Sequence, residues 1–128
     1  MSSAVYDSRF FVEHFYNPDG DVKKRIREEV RKTKRRYVST VVIHEIYRLS
    51  LEKEGREVAK MRTDLLMKGF RAVDVNAEIA ILSAELRKKY SLSLADSVIA
   101  ATSQLLNARC VTDDPHLALI KEIKTKWV

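Results

Sequence analysis

The chain has 128 residues, of which 45% are hydrophobic, so it is long and apolar enough to fold as one domain over residues 1–128, which excludes a disordered chain. A single cysteine excludes an internal disulfide and a cysteine zinc site, and the absence of a long apolar segment argues against a signal peptide or a membrane span, so a cytoplasmic protein is expected. The formal net charge of +6 favours an anionic partner.

Short β-prone runs alternate with helical patterns along the chain. Strands are predicted at residues 4–6, 37–38, 70–73, 109–112 and 123–128. Helices are predicted at residues 8–16, 21–34, 40–54, 56–68, 76–90, 93–108 and 115–120, with Asp21 as the N-cap of the second. This alternation predicts an α/β fold with a mainly parallel sheet of about five strands, covered by helices on both faces.

Much of the positive charge lies between Lys23 and Arg36, where nine basic residues accompany two glutamates. Such a segment is commonly a solvated helix face with ion pairs between neighbouring turns. It is equally typical of a surface that binds phosphates, because clustered lysines and arginines release counterions from a polyanion. The charge pattern alone does not distinguish the two interpretations.

Carboxylates follow two of the predicted strands. Asp7 comes directly after the first strand, and Asp113 and Asp114 follow the fourth. In open parallel sheets, ligands bind outside the carboxyl ends of the strands. These positions are therefore candidates for one shared site.

Two more carboxylates stand out by their surroundings. Asp96 is the one charged residue between Ser91 and Ala108, in a chain that is 33% charged, and a helix without charge on any side is expected to be buried. Glu45 lies at the edge of the apolar face of its helix, between Val41 and Leu49.

Each carboxylate also has an ordinary structural interpretation. Asp7 could be a helix N-cap, and Asp96 completes an S-x-x-D capping box that begins at Ser93. Glu45 could be a surface residue of a helix, and Asp113 and Asp114 could form the turn before Pro115.

If these carboxylates lie close together, a capping or turn role alone no longer explains them. Two carboxylates about 5 Å apart repel by roughly 3 kcal/mol at an effective dielectric constant near 20, so a cluster of four favours a bound cation. A site made of carboxylate oxygens, without cysteines or a histidine pair at ligand spacing, suits Mg²⁺ or Mn²⁺. A metal of this kind activates water for attack on a phosphodiester.

The motifs are similar to those of a known family. The chain resembles a small PIN-domain ribonuclease of the VapC toxin type, through Tyr6-Asp7-Ser8 after the first strand, Glu45 on an apolar helix, LADSVIAAT around Asp96, and VTDDPHL around Asp114. Each motif is short, but the four occur in family order over nearly the whole chain. Arg9 and the phenylalanines after it depart from the family, in which smaller residues are common.

The resemblance implies a three-layer α/β/α sandwich and one nuclease domain over residues 1–128. It implies an endoribonuclease that depends on Mg²⁺ or Mn²⁺, forms a homodimer, and is inhibited by a protein antitoxin. Asp7, Glu45, Asp96 and Asp114 would be the metal-binding and catalytic acids. By the same resemblance, Thr112 would be a catalytic hydroxyl, Ser8 matches the hydroxyl after the first aspartate, and Asp113 takes a supporting position. His116, which lies in the same loop as Asp114, is a candidate for contact with the substrate.

Alternatives from other classes are a phosphoacceptor receiver domain, a non-catalytic RNA-binding scaffold and a stand-alone RNA-processing nuclease. A receiver domain requires an acidic pair near the first strand and a lysine at the end of the last, whereas the acidic pair here follows the fourth strand. A scaffold would use the basic segment alone, with the acids as caps. Cys110 is expected to be a buried strand residue, and Trp127 to pack at the sheet edge or in a dimer contact.

Overall fold

The computed structural model describes residues 2–128, which form one five-stranded parallel sheet covered by helices. The sheet order is β3-β2-β1-β4-β5, and every neighbouring pair of strands is parallel. The strands are β1 (Ser3–Tyr6), β2 (Arg35–Ser39), β3 (Arg71–Val73), β4 (Arg109–Val111) and β5 (Thr125–Lys126).

Seven helices connect or follow these strands, and they have the predicted order. They are α1 (Ser8–Tyr16), α2 (Gly20–Lys32), α3 (Thr40–Glu54), α4 (Arg56–Gly69), α5 (Ala77–Tyr90), α6 (Leu94–Leu106) and α7 (Pro115–Ala118). The strand order reverses direction after β3, so right-handed crossovers are expected to put α1 to α4 on one face of the sheet and α5 to α7 on the other. The predicted three-layer α/β/α sandwich is confirmed.

The uncharged helix is the central one. All seven residues from Ser97 to Ser103 in α6 are buried, and the helix packs against β1, β2 and β4. On β1, Val5 and Tyr6 are fully buried. The Tyr6 ring packs in an aromatic cluster with Phe10, Phe11 and Phe70. Such burial fixes the amino end of α6, and with it Asp96, relative to the end of β1.

Several predicted boundaries were wrong. Asp19, not Asp21, is the N-cap of α2: its side chain accepts a 2.8 Å hydrogen bond from the backbone N–H of Asp21. The last strand has two residues instead of six, because its neighbour β4 is itself short and only Cys110 and Val111 have partners in β5. The short helix α7 ends at Ala118 rather than at residue 120.

The basic segment is not a uniformly solvated face, because Glu29 in α2 is buried. Its carboxylate accepts hydrogen bonds from the Tyr6 hydroxyl at 3.0 Å and the Thr33 hydroxyl at 2.7 Å, and it forms an ion pair with Lys126 of β5. Burial opposes the charged form, yet the hydrogen bonds from Lys126, Thr33 and Tyr6 hold the pKa of Glu29 below its usual value. Glu29 therefore fastens α2 to the sheet.

Trp127 is partly buried and packs against the core, and Cys110 is fully buried in β4. Across residues 2–128, every helix is too short or too polar to traverse a lipid bilayer.

Candidate active site

Two neighbouring strands bring Asp7 and Asp114 to the same sheet edge. Tyr6 of β1 lies opposite Val111 of β4, so the residues after both strands are neighbours. The Thr112 hydroxyl donates a 2.6 Å hydrogen bond to Oδ2 of Asp7, and it accepts a 3.0 Å hydrogen bond from the backbone N–H of Asp114. Thr112 thereby links the two strand ends.

Asp7 is held from both sides and is only 2% exposed. Its Oδ1 accepts a 2.7 Å hydrogen bond from the Ser8 backbone N–H, so the N-cap interpretation of Asp7 is also correct. Burial raises the pKa of Asp7, and the hydrogen bonds from Thr112 and Ser8 offset part of that rise. The nearby charge of Asp114 raises the pKa further.

Asp96 lies in the first turn of α6, but the cap of this helix is Ser93, whose Oγ accepts a 3.2 Å hydrogen bond from the Asp96 backbone N–H. Within residues 2–128, the Asp96 carboxylate accepts no hydrogen bond from a backbone N–H, so a capping role does not explain its charge. Partial burial, followed by the charges of Asp114 and Asp7, raises the pKa of Asp96 to about 6.

Asp96, Asp114 and His116 form a group of possible metal ligands, with one ligand atom of each within 4.8 Å of the others. Asp114 caps α7 by accepting a 2.8 Å hydrogen bond from the His116 backbone N–H, and its Oδ1 is also 3.0 Å from the imidazole Nδ1. The sequence predicted a supporting position or a substrate contact for His116, and not a place among the possible metal ligands. The proline after Asp114 was the signal for a helix start, which turns the second residue of α7 back toward its cap.

Glu45 reaches the same region from the second turn of α3. Its Oε1 is buried and has no hydrogen-bond partner among residues 2–128. Burial, then the charges of Asp7 and Asp96, raise the pKa of Glu45, while the Ser8 hydroxyl lowers it. A buried carboxylate oxygen without a donor is costly unless a proton, a cation or another ligand occupies its vicinity.

Asp113 forms an ion pair with Arg9. It is exposed, and its carboxylate binds the Arg9 guanidinium, with 3.0 Å between Nε and Oδ1. Arg9 and Asp113 line a shallow cleft of about 320 Å³ with Asp114, Pro115 and His116. Arg9 is thus a cation beside Asp113 and Asp114. The sequence had indicated only that Arg9 departs from the family, in which smaller residues are common at this position.

The acids meet the requirements of a divalent cation. The donors are hard carboxylate oxygens, which suit Mg²⁺ or Mn²⁺, and the partnerless Oε1 of Glu45 is an unused ligand atom. The raised pKa values of Asp7, Glu45 and Asp96 all result from burial and mutual repulsion, which a cation would relieve. Asp7 and Glu45 are not members of the group formed by Asp96, Asp114 and His116, although the charge of Asp7 acts on both Glu45 and Asp96.

Known proteins share this architecture. A family model described as PIN domain matches residues 4–123. No curated protein matches the chain in sequence.

Solved structures share the fold at low sequence identity. A toxin–antitoxin complex from Klebsiella pneumoniae is 21% identical and has a TM-score of 0.75, with 94% of this chain and 95% of that chain covered. VapBC2 from Rickettsia felis, bound to a DNA fragment of its promoter, is 14% identical with a TM-score of 0.81 and covers 98% of both chains. VapC20 from Mycobacterium tuberculosis, a toxin that cleaves the sarcin–ricin loop, is 18% identical with a TM-score of 0.76, and covers 95% of this chain and 99% of that chain.

Proposed function

The chain belongs to the PIN-domain family, and from that premise we propose that it is an endoribonuclease that depends on Mg²⁺ or Mn²⁺. The observation that carries the proposal is the group of acids at one sheet edge, of which Asp7 is buried and Glu45, Asp96 and Asp114 are half-buried. Among residues 2–128, Oε1 of Glu45 has no hydrogen-bond donor. A glutamate on a solvated helix face would leave this oxygen to water, whereas a metal site uses it as a ligand.

Asp7, Glu45, Asp96 and Asp114 are proposed to hold the cation. The bound ion would supply an activated water and stabilise the negative charge that develops on the phosphodiester. Thr112 and Ser8 hold the Asp7 carboxylate by hydrogen bonds, so its orientation is set before a ligand arrives.

The neighbouring side chains are proposed to contact the RNA. His116 is exposed next to Asp114, and Arg9 carries a positive charge at the rim of the cleft. Asp113 orients the Arg9 guanidinium by two hydrogen bonds, and an arginine so held is suited to a phosphate oxygen.

We further propose that the protein is a cytoplasmic toxin, acts as a homodimer and is inhibited by an antitoxin. The support is the fold shared with toxin–antitoxin proteins from Klebsiella pneumoniae and Rickettsia felis. An apolar groove of about 330 Å³ between α1, α2 and α4 offers a surface for an antitoxin segment. Leu65 is 54% exposed there, and Arg27 and Arg31 have no carboxylate partner among residues 2–128, so an apolar segment with acidic residues fits best.

The proposal is tested by incubating the protein with structured and single-stranded RNA in the presence of Mg²⁺, Mn²⁺ or EDTA. We expect cleavage at internal positions with either metal and none with EDTA, because the acids alone repel the RNA backbone and cannot activate water. Addition of the antitoxin encoded next to the gene should abolish cleavage. Cleavage that persists in EDTA would contradict the proposed chemistry.

The same assay separates the alternatives. A non-catalytic scaffold would bind RNA without cleaving it under any metal condition. A stand-alone processing nuclease would cleave RNA but would have no inhibitory partner encoded beside it.

A further inference from the structure

A basic concavity lies at the opposite end of the sheet from the acids. It has a volume of about 430 Å³ and is formed where β2 and β3 begin, next to the carboxyl ends of α2 and α4. Because the acids lie beyond the carboxyl end of β1, the length of a strand separates the two regions. The rise over β2 is about 13 Å.

Five cationic side chains line this concavity, and no acidic residue does. They are Lys34, Arg35, Arg36, Lys68 and Arg71. Within residues 2–128 none of the five takes part in a salt bridge. No carboxylate among residues 2–128 therefore neutralises their charge.

Arg36 has a structural role that accounts for its own charge. Its guanidinium donates hydrogen bonds to the carbonyl oxygens of Val30 and Thr33, at 3.1 and 2.8 Å, and of Gly69 at 3.0 Å. These carbonyls belong to the carboxyl ends of α2 and α4, each of which carries about half a negative charge. Arg36 offsets roughly that total, so the other four cations are in excess of what the helix ends require.

Tyr37 adds an aromatic ring to the concavity. It lies opposite Arg71 in the β2–β3 register, which puts both side chains on the same face of the sheet. The Tyr37 hydroxyl makes no hydrogen bond within residues 2–128, whereas the buried Tyr6 hydroxyl does. An aromatic ring among unpaired cations is the combination that binds single-stranded nucleic acid, by stacking on a base and pairing with phosphates.

We propose that Lys34, Arg35, Lys68 and Arg71, with Tyr37, form a second RNA-binding site, which we term the basic pocket. It would bind the phosphates of single-stranded RNA outside the catalytic centre. This inference rests on the proposed function for the identity of the polyanion. The acids repel RNA, so a remote cationic site would supply affinity without entering the chemistry.

The basic pocket uses only the end of the basic segment, which contributes Lys34 and Arg35. The other two cations of the pocket, Lys68 and Arg71, lie more than thirty positions further along the chain. The α2 residues Arg27 and Arg31 line the apolar groove instead.

The test measures RNA binding without catalysis. A fluorescently labelled single-stranded 12-mer is titrated with protein in EDTA at several salt concentrations, and anisotropy gives the Kd. The variant Arg35→Gln/Arg71→Gln removes two exposed charges whose side chains make no hydrogen bond within residues 2–128. The control variant, Arg56→Gln/Lys60→Gln, removes two exposed charges from the first half of α4 and changes the net charge equally.

We expect the pocket variant to bind about tenfold more weakly and its salt slope to fall by about 1.4, which corresponds to two lost phosphate contacts on a single strand. The control should stay within about twofold of the wild type, and both variants should keep the wild-type Tm. Equal losses in the two variants, or an unchanged Kd for the pocket variant, would overturn the proposal. So would equally effective competition by polyglutamate, which would identify an acidic protein as the partner.

The binding measurement does not depend on whether the protein cleaves RNA. If the pocket variant loses RNA binding while the wild type cleaves no RNA with any metal, the second site stands and the nuclease proposal fails. If the wild type cleaves RNA and the pocket variant binds normally, the nuclease proposal stands and the second site fails.

Discussion

Asp96→Asn is expected to reduce metal-dependent RNA cleavage at least about 100-fold. Loss of a residue that only supports a metal ligand costs about 10- to 100-fold, and Asp96 is proposed to be a ligand itself. Asparagine keeps the size of the side chain but is a poor substitute for a carboxylate toward a hard cation. Single-turnover cleavage at saturating protein measures the effect.

The same substitution should stabilise the metal-free protein near neutral pH. The folded-state pKa of Asp96 is raised to about 6, so the stability that its neutral form provides is complete below about pH 4 and is lost as the pH rises through about 6. Asparagine is neutral throughout. With allowance for solvent screening, the gain is on the order of 1 kcal/mol, or about 4 °C in Tm, at pH 7 and disappears at pH 4.

Asp74→Asn is the matched control, because Asp74 is exposed, follows β3 and loses the same charge. It should retain wild-type cleavage and wild-type Tm. An Asp96→Asn variant that melts earlier than the wild type, yet cleaves RNA at a similar rate, would show that Asp96 is a structural residue.

Millimolar Mg²⁺ or Mn²⁺ is expected to raise the Tm of the wild-type protein by several degrees. The cation relieves repulsion among acids that are close together only in the folded state, so it binds the native chain preferentially. At a metal concentration 100 times the Kd, the stabilisation is about 2.7 kcal/mol, or about 10 °C for a chain of this length. Differential scanning calorimetry with and without metal gives the shift.

Asp7→Asn/Asp96→Asn should abolish this metal-induced shift. The control is Asp64→Asn/Glu85→Gln, which removes two exposed carboxylates from α4 and α5 and should respond to metal as the wild type does. Equal shifts in both double variants would mean that the ion binds elsewhere on the surface.

The parts of the fold that could be predicted are those encoded by local patterns. The uncharged run from residue 97 to 103 indicated a central helix, and all of its residues are buried. Strand ends gave the positions of Asp7 and Asp114, because parallel strands present their carboxyl ends at one edge. Asp7 and Asp114 each cap a helix and are also close enough for the charge of Asp114 to raise the pKa of Asp7. A capping role for these residues is therefore compatible with the proposed metal-binding role.

The remainder depends on contacts between distant positions. Glu29 is adjacent to Glu28 in a basic segment, and only the fold brings Tyr6 and Lys126 to its carboxylate. The basic pocket similarly combines Arg35 with Arg71, which are neighbours only because β2 pairs with β3. Charge counts along the chain cannot reveal such groups.

RNA cleavage as proposed requires these acids to hold a divalent cation, and anomalous diffraction from crystals soaked in Mn²⁺ tests this most directly. We expect one or two anomalous peaks beside Asp7, Glu45, Asp96 and Asp114, with carboxylate oxygens at ligand distance and Glu45 Oε1 facing the ion or its water ligands. Strong peaks confined to other acidic surfaces, with none between these four residues, would contradict it.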